Sequence, residues 1–230
     1  MTALAVTAMP GAQCFDTDTK LDLVAARSLA LRGYAAAIRY VSRAVPNGPG
    51  DIGAEEAATI MTAGLGLMLV QHCPPAYWTP SSGLGTAYGG AAAQNAAAVG
   101  YPAGATLAVD LENMRPGCGN PAIVAYVNSW SRAVIAAGYV PCLYYSADCP
   151  LSPEELYLDL VVTLYWRALS RDTPQVAVCG PCIQQFAQMG QVAGIDIDRD
   201  VVMADAFGRL PSWMTSPPAV GPIANPAGAL

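Results

Sequence analysis

Asp110 and Glu112 stand i, i+2 at the end of the apolar run Ala105-Thr106-Leu107-Ala108-Val109. Alternate residues of a β-strand share a face, so a strand that persists to its end points both carboxyls the same way. Like charges at that spacing raise one another's pKa, which suits a general acid beside an ionised partner. The alternative is a strand that ends in an acidic loop. Two other acidic clusters follow apolar runs: Asp16 and Asp18 after Ala12–Phe15, and Asp196, Asp198 and Asp200 around Ile197–Met203.

The elements that must position these acids alternate. Strands are predicted at Ala12–Phe15, Ala36–Val41, Leu65–Val70, Ala105–Asn113, Val140–Tyr145 and Val162–Trp166. Helices are predicted at Lys20–Arg32, Ala54–Ala63, Gly83–Val99, Pro121–Ala137 and Pro153–Leu160. Gly33 and Gly138 serve as stops and Ser152 as a cap. Beyond residue 166 the rhythm changes, with strand-like runs at Gln175–Val178, Ile183–Phe186 and Ile197–Met203 separated by gaps too short for full helices. About eight strands, most followed by a helix, predict an α/β chain with a parallel sheet closed into a TIM-type (β/α) barrel. In such a barrel the loops after the strands share one face, which brings the three acidic clusters together as a carboxylate-lined cleft. A cleft of this kind fits glycoside hydrolysis, and it would also fit a divalent cation held by oxygen. Tyr40, Tyr77, Trp78, Tyr144, Tyr145 and Trp166 fall at or just beyond strand ends, where flat faces stack on sugar rings, and this favours carbohydrate over a metal. His72, the single histidine, has no histidine partner for zinc. No metal and no cofactor is expected.

The chain has 230 residues, 53% hydrophobic and 12% charged, the latter about half the usual ~25%. The net charge of −6 and the lack of a basic cluster argue against nucleic acid. No Asp, Glu, Lys or Arg occurs between Glu56 and Asp110, yet Gly, Pro, Gln, Asn and Ser interrupt every apolar run there, so no membrane span is expected. The charge-poor 57–109 region predicts a face buried against a partner or a second copy. Met1–Pro10 has no basic start and too short an apolar part for a secretory signal, so ordinary export is not expected; delivery to a cell wall by release or in a phage virion is an alternative. Residues 1–10 are an extension, 11–210 the barrel, and 211–230 a Pro/Ala/Gly-rich tail without regular structure. Its Trp213, Met214, Val220 and Ile223 suit an arm docking on a neighbour. Seven cysteines are present. Cys179-Gly180-Pro181-Cys182 has thioredoxin spacing but precedes a strand, so a local disulfide or two plain thiols are expected.

Several segments together resemble the glycoside-hydrolase-like domain of unknown function 1906, a relative of the family 25 lysozymes. They are Gln13-Cys14-Phe15-Asp16-Thr17-Asp18-Thr19, Gly33-Tyr34 with Ile38-Arg39-Tyr40-Val41-Ser42, Ala63-Gly64-Leu65-Gly66, Ala108-Val109-Asp110, Gln184-Gln185-Phe186 and Gly194-Ile195-Asp196-Ile197-Asp198-Arg199-Asp200-Val201. The resemblance runs in order from about residue 11 to 203. It departs from the family pattern at Cys14, where glycine is usual, and at His72-Cys73-Pro74-Pro75. It implies an irregular barrel with degenerate last units. It also implies Glu112 as proton donor, Asp110 as partner carboxylate, and Asp16 with Asp198 or Asp196 completing the cleft. Asp18, Asp196, Tyr40, Trp78, Tyr144, Trp166 and Gln185 are then the expected substrate-binding residues. Two functions remain open: a lysozyme-type glycosidase acting on bacterial cell-wall glycan, or a non-catalytic structural or carbohydrate-binding subunit on the same barrel.

Overall fold

In a computed structural model, which describes residues 3–217, strands β2 (Gln13–Thr17), β3 (Ala36–Val41), β4 (Gly66–Gln71), β5 (Thr106–Leu111), β6 (Val140–Tyr145), β7 (Leu164–Arg167) and β8 (Ile183–Val192) run parallel in sequence order. Strand β9 (Ile195–Val202) is antiparallel to both β8 and β2 and closes the ring. The eight-stranded barrel expected from the alternation is therefore present, and its irregularity lies in the last strand. Outside it sit α1 (Leu23–Leu31), α2 (Ala54–Thr62), α3 (Ser82–Ala98), α4 (Asn120–Ala136) and the short α5 (Pro153–Leu158). Two further strands, β1 (Leu4–Thr7) and β10 (Ser212–Thr215), pair antiparallel, and Met214 of β10 pairs with Leu67 of β4.

Strand period 2 sorts the side chains. Phe15, Ala37, Leu67, Leu69, Leu107, Val109 and Leu143 pack outward in the core shared with the helices, while Cys14, Ile38, Met68, Val70, Ala108, Cys142 and Trp166 form a separate core inside the barrel. The same alternation carries Asp16, Tyr40, Asp110, Tyr144, Asp198 and Asp200 inward, on the parity of the inner core. The helices end where expected: Gly33 and Gly138 have φ of 93° and 89°, a region open to glycine at little cost. Ser152 accepts from the Glu155 amide while the Glu155 carboxylate accepts from the Ser152 amide, a capping box that starts α5. Gln71, fully buried at the end of β4, accepts from Trp130 Nε1 on α4 at 2.8 Å and donates to the Tyr88 carbonyl of α3 at 2.8 Å. One buried amide thus ties the strand end to both covering helices.

Three expectations change. Residues 175–178 are not a strand but run through a loop into a turn at 177–179, with Val178 at φ 67°; removing them leaves eight barrel strands. The chain after Pro211 does form a regular element. Strand β10 buries Trp213 and Met214 under this chain's own barrel, where the Trp213 ring abuts Gly66 and the Ser212 amide donates to Thr106 Oγ1 at 2.8 Å. Those two residues are committed at home, and Val220 and Ile223 lie outside the described residues. The charge-free 57–109 span is spent largely within the chain: β4 and β5 are buried at every position, and α3 packs Gly85, Gly89, Ala92 and Ala96 inward. The outer side of α3, with Thr86, Ala87, Gln94, Ala97 and Ala98 exposed, is uncharged. No helix among the described residues is long and apolar enough to cross a membrane. All seven cysteines are free, and Cys179 and Cys182 pack on opposite sides of the barrel wall, which explains why their close spacing yields no bridge.

Helices α3 and α4 touch backbone to backbone. A Cβ on Gly89 would lie 2.6 Å from the Trp130 carbonyl oxygen, whereas one on Gly90 would meet nothing within 4 Å. Gly89→Ala is expected to destabilise the protein by about 1–3 kcal/mol, and Gly90→Ala to stabilise it by about 0.5–1 kcal/mol. Denaturant unfolding of the two variants checks the sign at each position.

Candidate active site

The C-terminal mouth of the barrel holds a cleft of about 290 Å³ lined by Asp16, Thr17 and Asp18 of the β2 end, Tyr40 of β3, His72 and Cys73 after β4, Asp110 of β5, and Asp196 and Asp198 of β9. Barrel closure sets this arrangement. In the β2–β9 pairing Asp16 lies opposite Asp198, and Cys14 lies opposite Asp200. The inward residues of β9 therefore form a column of carboxyls, from exposed Asp196 at the rim to fully buried Asp200 beneath the cleft.

Each carboxyl has a different environment. Tyr40 donates its hydroxyl to Asp16 Oδ1 at 3.1 Å, and Asp16 Oδ2 has no hydrogen-bond partner. Gln185 Nε2 donates to Asp198 Oδ2 at 2.9 Å while its own Oε1 accepts the Leu169 amide at 3.1 Å, so the side chain is fixed at both ends. Trp166 Nε1 donates to Asp200 Oδ1 at 2.7 Å, leaving Asp200 Oδ2 buried and unmatched. Asp110 is 6% exposed, and its Oδ1 also lacks a partner.

Burial without cations should push these acids toward the neutral form, and it does. Burial, then repulsion from Asp198, raises Asp16 from 3.8 to about 7, against the pull of the Tyr40 hydroxyl. Asp110 is raised well above the usual carboxylate range by burial, then by Glu112 and by Asp16. Burial likewise raises half-buried Glu112, where hydrogen bonds from Ser146 and Tyr144 oppose the rise and Asp148 adds to it. Asp200 is raised by burial and by Asp16. Burial and mutual repulsion thus favour the protonated form of several carboxyls at the mouth, the tendency that general acid catalysis requires of one of them.

The loops after β4 and β5 are joined. Tyr77, with φ 65°, donates its amide to the Asn113 carbonyl at 2.8 Å, and Arg115 N donates to the Trp78 carbonyl at 2.8 Å. Trp78 Nε1 donates to the Glu112 carbonyl at 2.8 Å, and its ring meets Tyr126 of α4 edge to face, with centroids 4.8 Å apart. Trp78 therefore anchors the Glu112 backbone from the helix side, and its ring is not offered to the cleft as expected. Trp166 is 1% exposed and lies beneath the cleft as the donor to Asp200, so it offers no sugar platform either. Tyr40 and Tyr144 are half-buried, Tyr40 on the cleft wall and Tyr144 packed on Trp166 at 4.6 Å. Asp18 and Asp196 lie on the exposed rim. Glu112 sits beside Asp110, Tyr144 and Ser146, just outside the residues lining the cleft.

Sequence reasoning gave too little weight to three residues. His72 stacks on Tyr40 with centroids 4.5 Å apart and bonds Asp51 at 2.7 Å. Cys73 lines the cleft beside Asp110, and burial pushes its thiol up to about 11, which disfavours the thiolate. Asp200 supplies the deepest carboxyl. Its signal was the continued i, i+2 spacing from Asp196. Among the described residues no group of His, Cys, Asp and Glu is arranged to hold a metal ion.

The profile of a family described as Rv2525c-like, glycoside hydrolase-like domain matches residues 27–202. No curated protein matches the sequence. Several solved structures share the fold. An uncharacterized B. stearothermophilus protein is 17% identical, with a TM-score of 0.65 over 84% of this chain and 96% of its own. The Tat-secreted protein Rv2525c of Mycobacterium tuberculosis, in complex with HEPES, is 18% identical, with a TM-score of 0.59 over 86% and 98%. A bacterial lysozyme from Streptomyces coelicolor is 15% identical, with a TM-score of 0.59 over 87% and 95%.

The raised pKa of Asp16 has a consequence for stability. Between about pH 4 and 7 the folded state retains a proton that the unfolded chain has released, so stability falls as pH rises through that window and stays lowered above it. At about 1.4 kcal/mol per unit, the penalty is at most about 4 kcal/mol. Asp16→Asn is therefore expected to be more stable than wild type at pH 7–8, with the difference closing toward pH 4. Thermal unfolding across that range measures it; a pH-independent difference would show that Asp16 does not titrate there.

Proposed function

We propose that this chain, which belongs to the Rv2525c-like, glycoside hydrolase-like family, is a glycosidase acting on bacterial cell-wall glycan, with Glu112 as general acid and Asp110 as partner carboxylate. The observation that carries this reading is the convergence of Asp16, Asp110 and Asp198 in one cleft with Glu112 beside Asp110, where burial and mutual repulsion raise Asp16, Asp110 and Glu112 so that the acids do not all ionise together. Glycoside cleavage needs one protonated carboxyl at the leaving oxygen and one carboxylate beside the sugar carbon. The solved structures of like fold that are described as a lysozyme, an endolysin and a muramidase support the substrate class.

The two roles divide by exposure. Glu112 is half-buried at the rim, where it can take a proton from solvent and present it to a glycosidic oxygen; Ser146 and Tyr144 orient it. Asp110 is deeper, between Glu112 and Asp16. As Glu112 gives up its proton, the repulsion between the two carboxylates grows, and positive charge developing on the sugar carbon relieves it. Asp110, with one oxygen free of hydrogen bonds, faces that charge directly or holds the substrate's own acetamido group against it. Asp16, held by Tyr40, and Asp198, held by Gln185, extend the negative field along the cleft.

Glu112→Gln keeps the size and hydrogen bonds of the side chain but removes its proton. It is expected to lower the rate of peptidoglycan clearing at least about 10²-fold, with the folded state intact by circular dichroism. Equal clearing by both proteins, or by neither, would overturn the catalytic reading and leave a binding role for the same cleft.

A further inference from the structure

Of the nine residues that line the cleft, five are aspartates and only His72 can carry positive charge. It is also held as a functional group is held. Its Nε2 meets Asp51 Oδ1 at 2.7 Å, and Asp51 is fixed in turn through Oδ2 by Ser42 Oγ and by the Gly48 amide at 3.1 Å. The Tyr40 ring lies nearly parallel to the imidazole, 22° between planes, and the same tyrosine donates to Asp16. The Asp51 carboxylate accepts, so Nε2 carries a proton and the second ring nitrogen, Nδ1, makes no hydrogen bond with the described residues. Such support is more than packing requires of a side chain that is 38% exposed.

We propose that His72, oriented by Asp51 and Tyr40, is the specificity residue that receives a free carboxylate of the glycan, so that the cleft favours a carboxyl-bearing amino sugar, as in glycan strands stripped of their peptide, over its neutral counterpart. This rests on the glycan reading above and deepens it. An anionic sugar entering a mouth lined by aspartates is repelled, and the cleft must supply one compensating cation. With Nε2 bonded to Asp51, Nδ1 is the position from which an imidazolium donates to the guest carboxylate as a charge-assisted hydrogen bond. A neutral sugar gains nothing from that contact.

The chain offers a clean probe, because His72 is its only histidine and its imidazole signals need no further assignment. N-acetylmuramic acid and N-acetylglucosamine differ by the 3-O-lactyl group, which carries the carboxylate. Titrated into the full chain at constant pH, the muramic acid is expected to move the His72 signals saturably, and the glucosamine to leave them unmoved while still shifting the Tyr40 and Tyr144 rings. His72→Gln is expected to weaken the muramic acid about tenfold and the glucosamine less than about twofold. Asp51→Asn, which retains the imidazole, is expected to weaken the same sugar selectively. If both sugars shift the tyrosines and neither moves His72, or if His72→Gln weakens both equally, the assignment of His72 falls and the glycan reading stands. If neither sugar shifts any signal of the cleft, both fall.

Discussion

The crowding of carboxyls at the barrel mouth, with no Lys or Arg among the residues lining it, is the constraint on which the site depends. It follows from closure. A barrel strand presents every second residue inward, and β9 spends Asp196, Asp198 and Asp200 on that face, with Asp198 opposite Asp16 of β2. Moving four or more acids out of water without counter-charge is costly, and the protein lowers the cost by keeping them partly protonated rather than by pairing them. The contrast with Arg39 and Glu56 is instructive. That pair is also buried, but Glu56 accepts from Arg39 Nε at 2.8 Å and from the Leu21 amide at 3.0 Å, so its charge is answered and its role is structural.

The rest of the molecule sustains this arrangement. Trp213 and Met214 of the terminal ribbon seal the opposite end of the barrel. Glycines on α3 let it approach α4 closely, and the two helices are tied to the end of β4 through Gln71, immediately before His72 and Cys73. The joined loops after β4 and β5 then set Glu112 and Cys73 beside Asp110. Most of an unusually charge-free stretch of sequence is thus used within the chain: it builds the barrel wall and the helix that leans on that wall, while the exposed outer side of that helix stays uncharged.

Much of the fold was legible because it is periodic. The alternation of strands with amphipathic segments, the stops at Gly33 and Gly138 and the cap at Ser152 are local, and local rules describe them well. Proline after residue 211 signalled irregularity, but Ser212–Thr215 lies between prolines and pairs through residues that are not proline, so composition misled where hydrogen-bonding partners far along the chain decided the outcome. The acids of the site were legible as strand ends. The roles of the aromatics were not, since a strand-end tryptophan can face the cleft, the helices or the layer beneath, and only packing distinguishes Tyr40 from Trp78 and Trp166.

The sequence by itself determined the inward parity of Asp16, Asp110, Asp198 and Asp200, because side-chain direction in a strand is fixed by counting. Tertiary structure alone decided that β9 runs antiparallel, that Asp198 meets Asp16, that Trp78 braces Glu112 from behind and that His72 is braced by Asp51. Those are contacts between distant segments, set by closure of the ring and by which side chains share its interior, and no local pattern encodes them.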